Sequence, residues 1–117
     1  MVATELRERT KQFALRVIRL FGRLPRTCEA EVIGKQLLRS ATSVAANYRE
    51  SCRARSDAEM IAKLGIVEQE LDESMLWLEL LAESEIVRAE LLHDILTEAD
   101  QLLRMTVSSI KTLKSRH

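Results

Sequence analysis

Helix-breaking residues are scarce in this sequence. Only three glycines and one proline occur among 117 residues. Hydrophobic residues make up 46% and charged residues 31% of the chain, a balance that favours helices joined by short turns and argues against disorder. A chain of this length predicts a single domain spanning residues 1–117.

Cysteines and long apolar runs are also sparse. Cys28 and Cys52 are the only cysteines, and the charged N-terminus lacks the apolar segment of a signal peptide. We therefore expect two reduced thiols in a cytoplasmic protein rather than a disulfide. No apolar run reaches the roughly 18 residues that a membrane-spanning helix needs, so the sequence predicts no membrane association.

The residue groupings of common catalytic and metal sites are missing as well. A di-iron site in a helical bundle needs two Glu-x-x-His pairs, whereas Glu90 and His93 form one pair and the other histidine is His117. The acidic run at 68–73 would point in several directions on a helix, as on a solvated face. The sequence therefore predicts no catalytic residue, no metal, no cofactor and no enzymatic activity.

Charge is divided unevenly along a chain whose net charge is zero. Residues 1–55 hold twelve basic and five acidic residues, a net charge of +7. Residues 56–117 hold six basic and thirteen acidic residues, a net charge of −7. Either the basic half packs against the acidic half, within or between chains, or it forms a basic face for a polyanion.

Apolar residues recur at alternating steps of four and three, which is typical of the buried stripe of a helix in a bundle. This spacing predicts helices at about 4–24, 28–53, 57–82 and 85–114. Thr27, Ser56 and Ser84 are the expected N-caps, and Ser56 with Glu59 forms a capping box. Four helices with short connections favour an all-α, antiparallel up-down-up-down four-helix bundle.

The least ordinary stretch lies at 36–56, where small residues replace bulky ones in the middle of a helix. We expect these small residues to allow close approach of a neighbouring helix. Asn47 would lie beside the apolar face, where an interhelical hydrogen bond from its amide would fix the register. Tyr48 would be mostly buried with its hydroxyl at an edge.

A second apolar face is predicted on the third helix. Ile66, Trp77 and Leu80 lie off the main stripe, where they would form an uncovered apolar patch. Because such patches commonly mark contacts with partners, we interpret these residues as an oligomer interface.

Basic residues concentrate on the first two helices. If these helices share an exposed side, their arginines could contact the phosphates of structured RNA or DNA. Aromatic residues are too few to suggest base stacking on single strands. The candidate nucleic-acid-binding residues are Arg16, Arg19, Arg23, Arg39, Arg49, Arg53 and Arg55.

Four segments together resemble a known family. They are QLLRSATSVAANYRE at 36–50, RARS at 53–56, IAKLGI at 61–66 and WLELL at 77–81. They are similar to the bacterial four helix bundle protein family, which includes the protein encoded in intervening sequences of large-subunit ribosomal RNA genes. The family is related to the accessory protein of diversity-generating retroelements. The resemblance covers residues 6–113, and its most specific part is SVAANYRE.

This resemblance implies an up-down bundle that assembles as a ring, with a homopentamer expected, and no known enzymatic activity. The retroelement relatives are thought to bind nucleic acid and a reverse transcriptase through a basic surface. Arg39, Arg49, Arg53 and Arg55 are the residues that match the motif. One hypothesis is therefore a ring that binds structured nucleic acid. The alternative is an oligomeric scaffold or adaptor whose charged faces serve subunit assembly and protein partners.

Overall fold

The computed structural model describes residues 3–117 and contains four α-helices in that range. Helix α1 spans Ala3–Gly22, α2 spans Cys28–Ser51, α3 spans Asp57–Glu83 and α4 spans Ala89–Lys114. Each helix contacts its sequence neighbour, and α1 also contacts α4, so the bundle closes. The all-α four-helix bundle predicted from the sequence is confirmed.

The helices run antiparallel, as contacts between α2 and α3 illustrate. Arg39 of α2 contacts Glu73 of α3, and further along α2 Glu50 contacts Lys63, which lies earlier in α3. Residue numbers therefore increase along α2 in the direction in which they decrease along α3. The resulting rod measures 48 × 20 × 19 Å.

The predicted stripes form one buried core that all four helices share. Its largest fully buried side chains include Phe13 of α1, Leu37 of α2, Leu71 of α3 and Leu102 of α4. Burying a leucine or phenylalanine contributes about 1.5–3 kcal/mol, so this core supplies the main driving force for folding.

Helix α2 packs closely on both of its neighbours because its inward residues are small. Ala41 and Ser40 are fully buried, and the Ser40 hydroxyl lies 2.8 Å from the Ser74 hydroxyl of α3. On the α1 side, a Cβ atom at Gly34 would lie 2.6 Å from Leu24 Cδ1. The small residues therefore set the spacing between the helices, as predicted.

Helices α2 and α3 each have a side-chain cap at the N-terminus. Thr27 Oγ1 accepts a hydrogen bond from the Ala30 amide, and Ser56 Oγ accepts one from the Glu59 amide. These bonds satisfy amides that the first turn leaves without partners. For the predicted capping box, the structure shows the half in which Ser56 Oγ accepts from the Glu59 amide.

The predicted start of α4 is wrong. Ser84 is the C-terminal cap of α3, and Glu85 adopts a left-handed conformation with φ of 63°. The amides of Ile86 and Val87 both donate to the Leu81 carbonyl at 3.1 Å, which closes α3 instead of opening a new helix. Helix α4 begins only after Arg88, whose side chain makes no capping hydrogen bond.

Candidate nucleic-acid interface

Two of the candidate arginines line a basic groove between α1 and α2. Arg49 lies in the last turn of α2 and Arg53 in the turn just after it, and Arg7 and Lys11 lie one turn apart on α1. The groove has a volume of about 440 Å³. We call it the α1/α2 groove; it is lined by Arg7, Lys11, Ala45, Ala46, Arg49, Glu50 and Arg53.

Small side chains make this groove accessible. Ala45 and Ala46 form its floor, so the longer cationic side chains stand on both sides of a shallow channel. Glu50 carries the one carboxylate in the lining, and it contacts Lys63 of α3 at 2.8 Å. Lys63 compensates Glu50, and Lys11 contacts Glu8 at 3.5 Å between two exposed side chains. Arg7, Arg49 and Arg53 form no ion pair between residues 3 and 117, so the channel keeps a net positive field.

Arg39 is not part of this groove. It lies on the side of α2 that faces α3, where its guanidinium contacts Glu70 at 3.1 Å and Glu73 at 2.8 Å. The hydrogen bond to Glu70 and the charges of both carboxylates raise the pKa of Arg39 above its ordinary value. Arg39 therefore links α2 to α3 rather than offering an unpaired charge to a ligand.

Arg16, Arg19 and Arg23 lie on the opposite flank of α1, next to α4. Together with Arg88 they surround a groove of about 510 Å³ near the start of α4. Its floor is apolar and includes Leu20, Leu91 and Ile95. We call it the α1/α4 groove, and it is separate from the α1/α2 groove.

The structure thus does not bring the seven candidate arginines onto one face. Arg49 and Arg53 share the α1/α2 groove, whereas Arg55 is exposed in the connection from α2 to α3. Conversely, Arg7 and Lys11 belong to the site but were missing from the sequence prediction. Their one-turn spacing on α1 was visible in the sequence, but the flank of α1 that faces α2 was not.

The predicted apolar patch on α3 is only partly exposed. Ile66 is 38% and Leu80 37% exposed, as expected for a contact surface. Trp77 differs from the prediction, because it packs against the core and its indole Nε1 is buried without a hydrogen-bond partner. Leu76, which the sequence analysis did not select, is 46% exposed.

Asn47 and Tyr48 form the specific centre of the signature segment. The predicted interhelical bond of Asn47 is wrong, because Asn47 Nδ2 donates to the carbonyl and hydroxyl of Ser43 in the same helix. Tyr48 is 4% exposed, and burial together with the neighbouring Cys52 raises its pKa to about 12. The polar contact between α2 and α3 comes instead from Ser40 and Ser74.

The Glu90–His93 pair lies at the exposed start of α4. Within residues 3–117, no group of three or more His, Cys, Asp or Glu side chains is arranged to hold a metal ion. Both cysteines are free thiols.

None of the four helices between residues 3 and 117 combines the length and apolar character needed to cross a membrane.

Comparison with known proteins finds a family model and solved structures that match. The family model described as 23S rRNA-intervening sequence protein matches residues 4–108. A crystal structure of a protein of unknown function from the S23 ribosomal protein family of Bacteroides thetaiotaomicron is 34% identical in sequence. The alignment covers 95% of this chain and 99% of that one, with a TM-score of 0.88. No curated protein matches.

Proposed function

The chain belongs to the 23S rRNA-intervening sequence protein family, and from that premise we propose that it is a non-enzymatic, ring-forming bundle that binds structured RNA or DNA. The binding surface in this proposal is the α1/α2 groove. The observation that supports it is the pairing of two cationic rows, Arg7 with Lys11 and Arg49 with Arg53, across a floor of alanines.

Such a groove suits a phosphate backbone more than a base edge. Arginine and lysine neutralise phosphates and release counterions, which gives affinity without sequence preference. A floor of alanine methyl groups offers no hydrogen-bond donor or acceptor for reading bases. The proposed ligand is therefore recognised by its backbone and shape, as expected for a hairpin or a duplex.

The test is a titration of a labelled RNA hairpin and a labelled DNA duplex at two salt concentrations. Four groove cations predict a slope of log K against log salt of about −3 to −4. The variant Arg49→Glu/Arg53→Glu should remove binding, because it reverses one cationic row.

Arg19→Glu/Arg23→Glu is the matched control, since it makes the same charge change at the same spacing in the other groove. It should keep most of the affinity. Equal losses in the two variants would show that overall charge, not the α1/α2 groove, drives binding. No binding at low salt would overturn the nucleic-acid proposal.

A second candidate function is that of an oligomeric scaffold or adaptor, with a homopentameric ring as the expected assembly. It is supported by exposed apolar residues on an acidic surface of α3, where Ile66, Leu76 and Leu80 lie among glutamates and aspartates. A ring would join this surface to a basic surface of the next subunit. Either function would be carried out in the cytoplasm.

Sedimentation of the chain at micromolar concentration tests the assembly. Ile66→Ser/Leu80→Ser should weaken an oligomer that uses the α3 patch, whereas Trp77→Ala would disturb the core and is a poor probe. A wild-type monomer would contradict both the ring and the scaffold.

A further inference from the structure

The α1/α4 groove combines an apolar floor with a rim of arginines, and the nucleic-acid proposal uses neither. Leu91 in this groove is 69% exposed, more than any other large hydrophobic side chain in the described part of the chain. Around it lie four arginines: Arg16 and Arg19 of α1, Arg23 just after α1 and Arg88 just before α4. Leu91 and the partly exposed Leu20, Leu24, Ile86 and Val87 form one apolar surface with a charged rim, which commonly marks a contact site.

Three of these four arginines lack the acidic partners that Arg9 and Arg39 have. On the same flank of α1, Arg9 makes two hydrogen bonds to Glu98 of α4, at 2.6 and 3.0 Å. Two turns further along α1, Arg16 reaches the part of α4 that carries Leu91 instead of a carboxylate. Between residues 3 and 117, no ion pair forms to Arg16, Arg19 or Arg23.

The N-terminal end of α4 adds to this positive charge. Arg88 precedes the first turn and makes no capping hydrogen bond, and its contact with Glu90 is long at 3.5 Å between two largely exposed side chains. The N-terminus of a helix carries a partial positive charge, so an arginine is unfavourable there unless an anion is close. Every electrostatic feature of the groove therefore favours negative charge in its occupant.

We propose that the α1/α4 groove is a docking site for an acidic amphipathic helix of a partner protein. Leucine-type side chains of that helix would cover Leu20, Ile86 and Leu91, which are partly or largely exposed. Flanking glutamates or aspartates would pair with Arg16, Arg19 and Arg23. This is the helix-in-groove mode, in which apolar anchors at i, i+3 or i+4, and i+7 enter a hydrophobic groove. The arginines that line the groove span about two turns of α1, which matches two or three anchors.

Nucleic acid fits this groove less well. Phosphates would pair with the arginines, but they would leave Leu91 and Ile86 covered only by sugar or solvent. In the α1/α2 groove the floor is alanine, so nothing apolar of that size is left uncovered. The two grooves are thus matched to different ligands by their floors rather than by their charge.

The test uses the full-length chain and a labelled synthetic helical peptide of about 16 residues, with leucine at the anchor positions and glutamate elsewhere. A peptide of the same composition with scrambled order, and one with lysine replacing glutamate, are the peptide controls. Fluorescence anisotropy at two salt concentrations measures binding, and circular dichroism checks that each protein variant is folded. The amphipathic acidic peptide should bind, and both control peptides should bind much more weakly.

Variants then locate the site. Arg19→Glu/Arg23→Glu should weaken binding by about tenfold or more, because it removes two charge pairs and repels the peptide. Leu91→Ser should weaken binding by about tenfold at unchanged charge. Arg49→Glu/Arg53→Glu, the charge-matched change in the other groove, should leave peptide affinity nearly unchanged.

Three results would overturn the proposal. One is no binding of the amphipathic peptide at low salt, and another is equal binding of the scrambled peptide. The third is a chain that self-associates until Leu91→Ser makes it monomeric, which would identify a second copy as the occupant of the groove. Loss of nucleic-acid binding does not enter this test, because that proposal depends on Arg49 and Arg53.

Discussion

Across the α2/α3 interface the Ser40 and Ser74 hydroxyls lie 2.8 Å apart, whereas the α1/α4 interface opens into one groove and borders a second groove to which all four helices contribute. One groove is the Arg-rich site near the start of α4. The other lies near the start of α1 and includes Leu6, Tyr48 and Met105. Small residues close the α2/α3 interface, whereas the α1/α4 interface leaves surface that a ligand can contact.

The two interfaces also use arginine differently. Arg39 bridges α2 and α3 through two glutamates, and Arg9 bridges α1 and α4 through Glu98. Beyond Arg9, the α1/α4 interface has arginines without carboxylates opposite them. An ion pair between helices therefore marks a closed part of the bundle, and an unpaired cationic rim marks an open part.

The largest effect expected from this contrast is on packing. Ser40→Leu should destabilise the protein by about 3 kcal/mol, because the added side chain overpacks the α2/α3 interface and leaves the Ser74 hydroxyl with one partner fewer. Ser108→Leu, at an exposed position in the groove near the start of α1, should change the free energy of unfolding by less than about 0.5 kcal/mol. Urea denaturation measures the free energy of unfolding of both variants. Equal losses would contradict the difference between the closed α2/α3 interface and the groove.

A second test uses Tyr48, the only tyrosine in the chain. Burial raises its pKa to about 12 from the ordinary value of 10.0, so the folded state resists loss of the hydroxyl proton. The resulting stability is complete below pH 10 and is lost as the pH rises towards 12. The stability of Tyr48→Phe should fall less over that range.

Ultraviolet absorbance gives the pKa of Tyr48 directly, with circular dichroism confirming that the chain stays folded. A midpoint near 10 in the folded protein would mean that water fills the groove beside Tyr48. The hydroxyl would then not be desolvated.

A third test concerns the bridge from α1 to α4. Glu98→Gln removes the charge that Arg9 meets at 2.6 Å, where both side chains are about three-quarters buried. We expect a loss of about 1 kcal/mol, because the guanidinium stays partly desolvated without its partner. Asp100→Asn, which affects an exposed contact with Arg104 within α4, should cost a few tenths of a kcal/mol at most. Urea unfolding curves for the two variants would show whether the interhelical pair matters more.

The smallest effect is expected at two glycines. Gly65→Ala should stabilise the protein by about 0.5–1 kcal/mol, since alanine favours helix and a Cβ there meets nothing within 4 Å. Gly34→Ala should gain less or lose stability, because its Cβ would lie 2.6 Å from Leu24 Cδ1 and 3.0 Å from Phe21 Cδ1. Thermal unfolding of both variants gives the sign of each change in stability. Equal stabilisation at both sites would mean that Leu24 and Phe21 move away from the new Cβ at little cost.

Sequence periodicity predicted the four helices and the core because burial repeats with the helical period. It failed at α4, where Ser84 and Glu85 look like an N-cap followed by an acidic first turn. In the structure these residues close α3, with Glu85 in a left-handed conformation usually taken by glycine. The usual signal for the end of a helix was therefore absent from the sequence.

The candidate site was less predictable than the core, for a geometric reason. The helical period places Arg16, Arg19 and Arg23 on one flank of α1, but it does not say which helix lies beside that flank. Arg39 could not be recognised as an ion-pair residue until α3 was seen next to it. Asn47 was misjudged because its amide finds a carbonyl four residues earlier in its own helix.

The separation of the two basic grooves has a consequence for binding linkage. Lys11 in one groove and Arg16 in the other are five positions apart on α1, which corresponds to about 7.5 Å along the helix axis. At physiological ionic strength, exposed charges are largely screened beyond about 8 Å. Because the nearest cations of the two grooves lie within that distance, a nucleic acid and an acidic helix bound together would weaken each other's binding slightly, and added salt would reduce this effect. A single chain could still tether the two molecules.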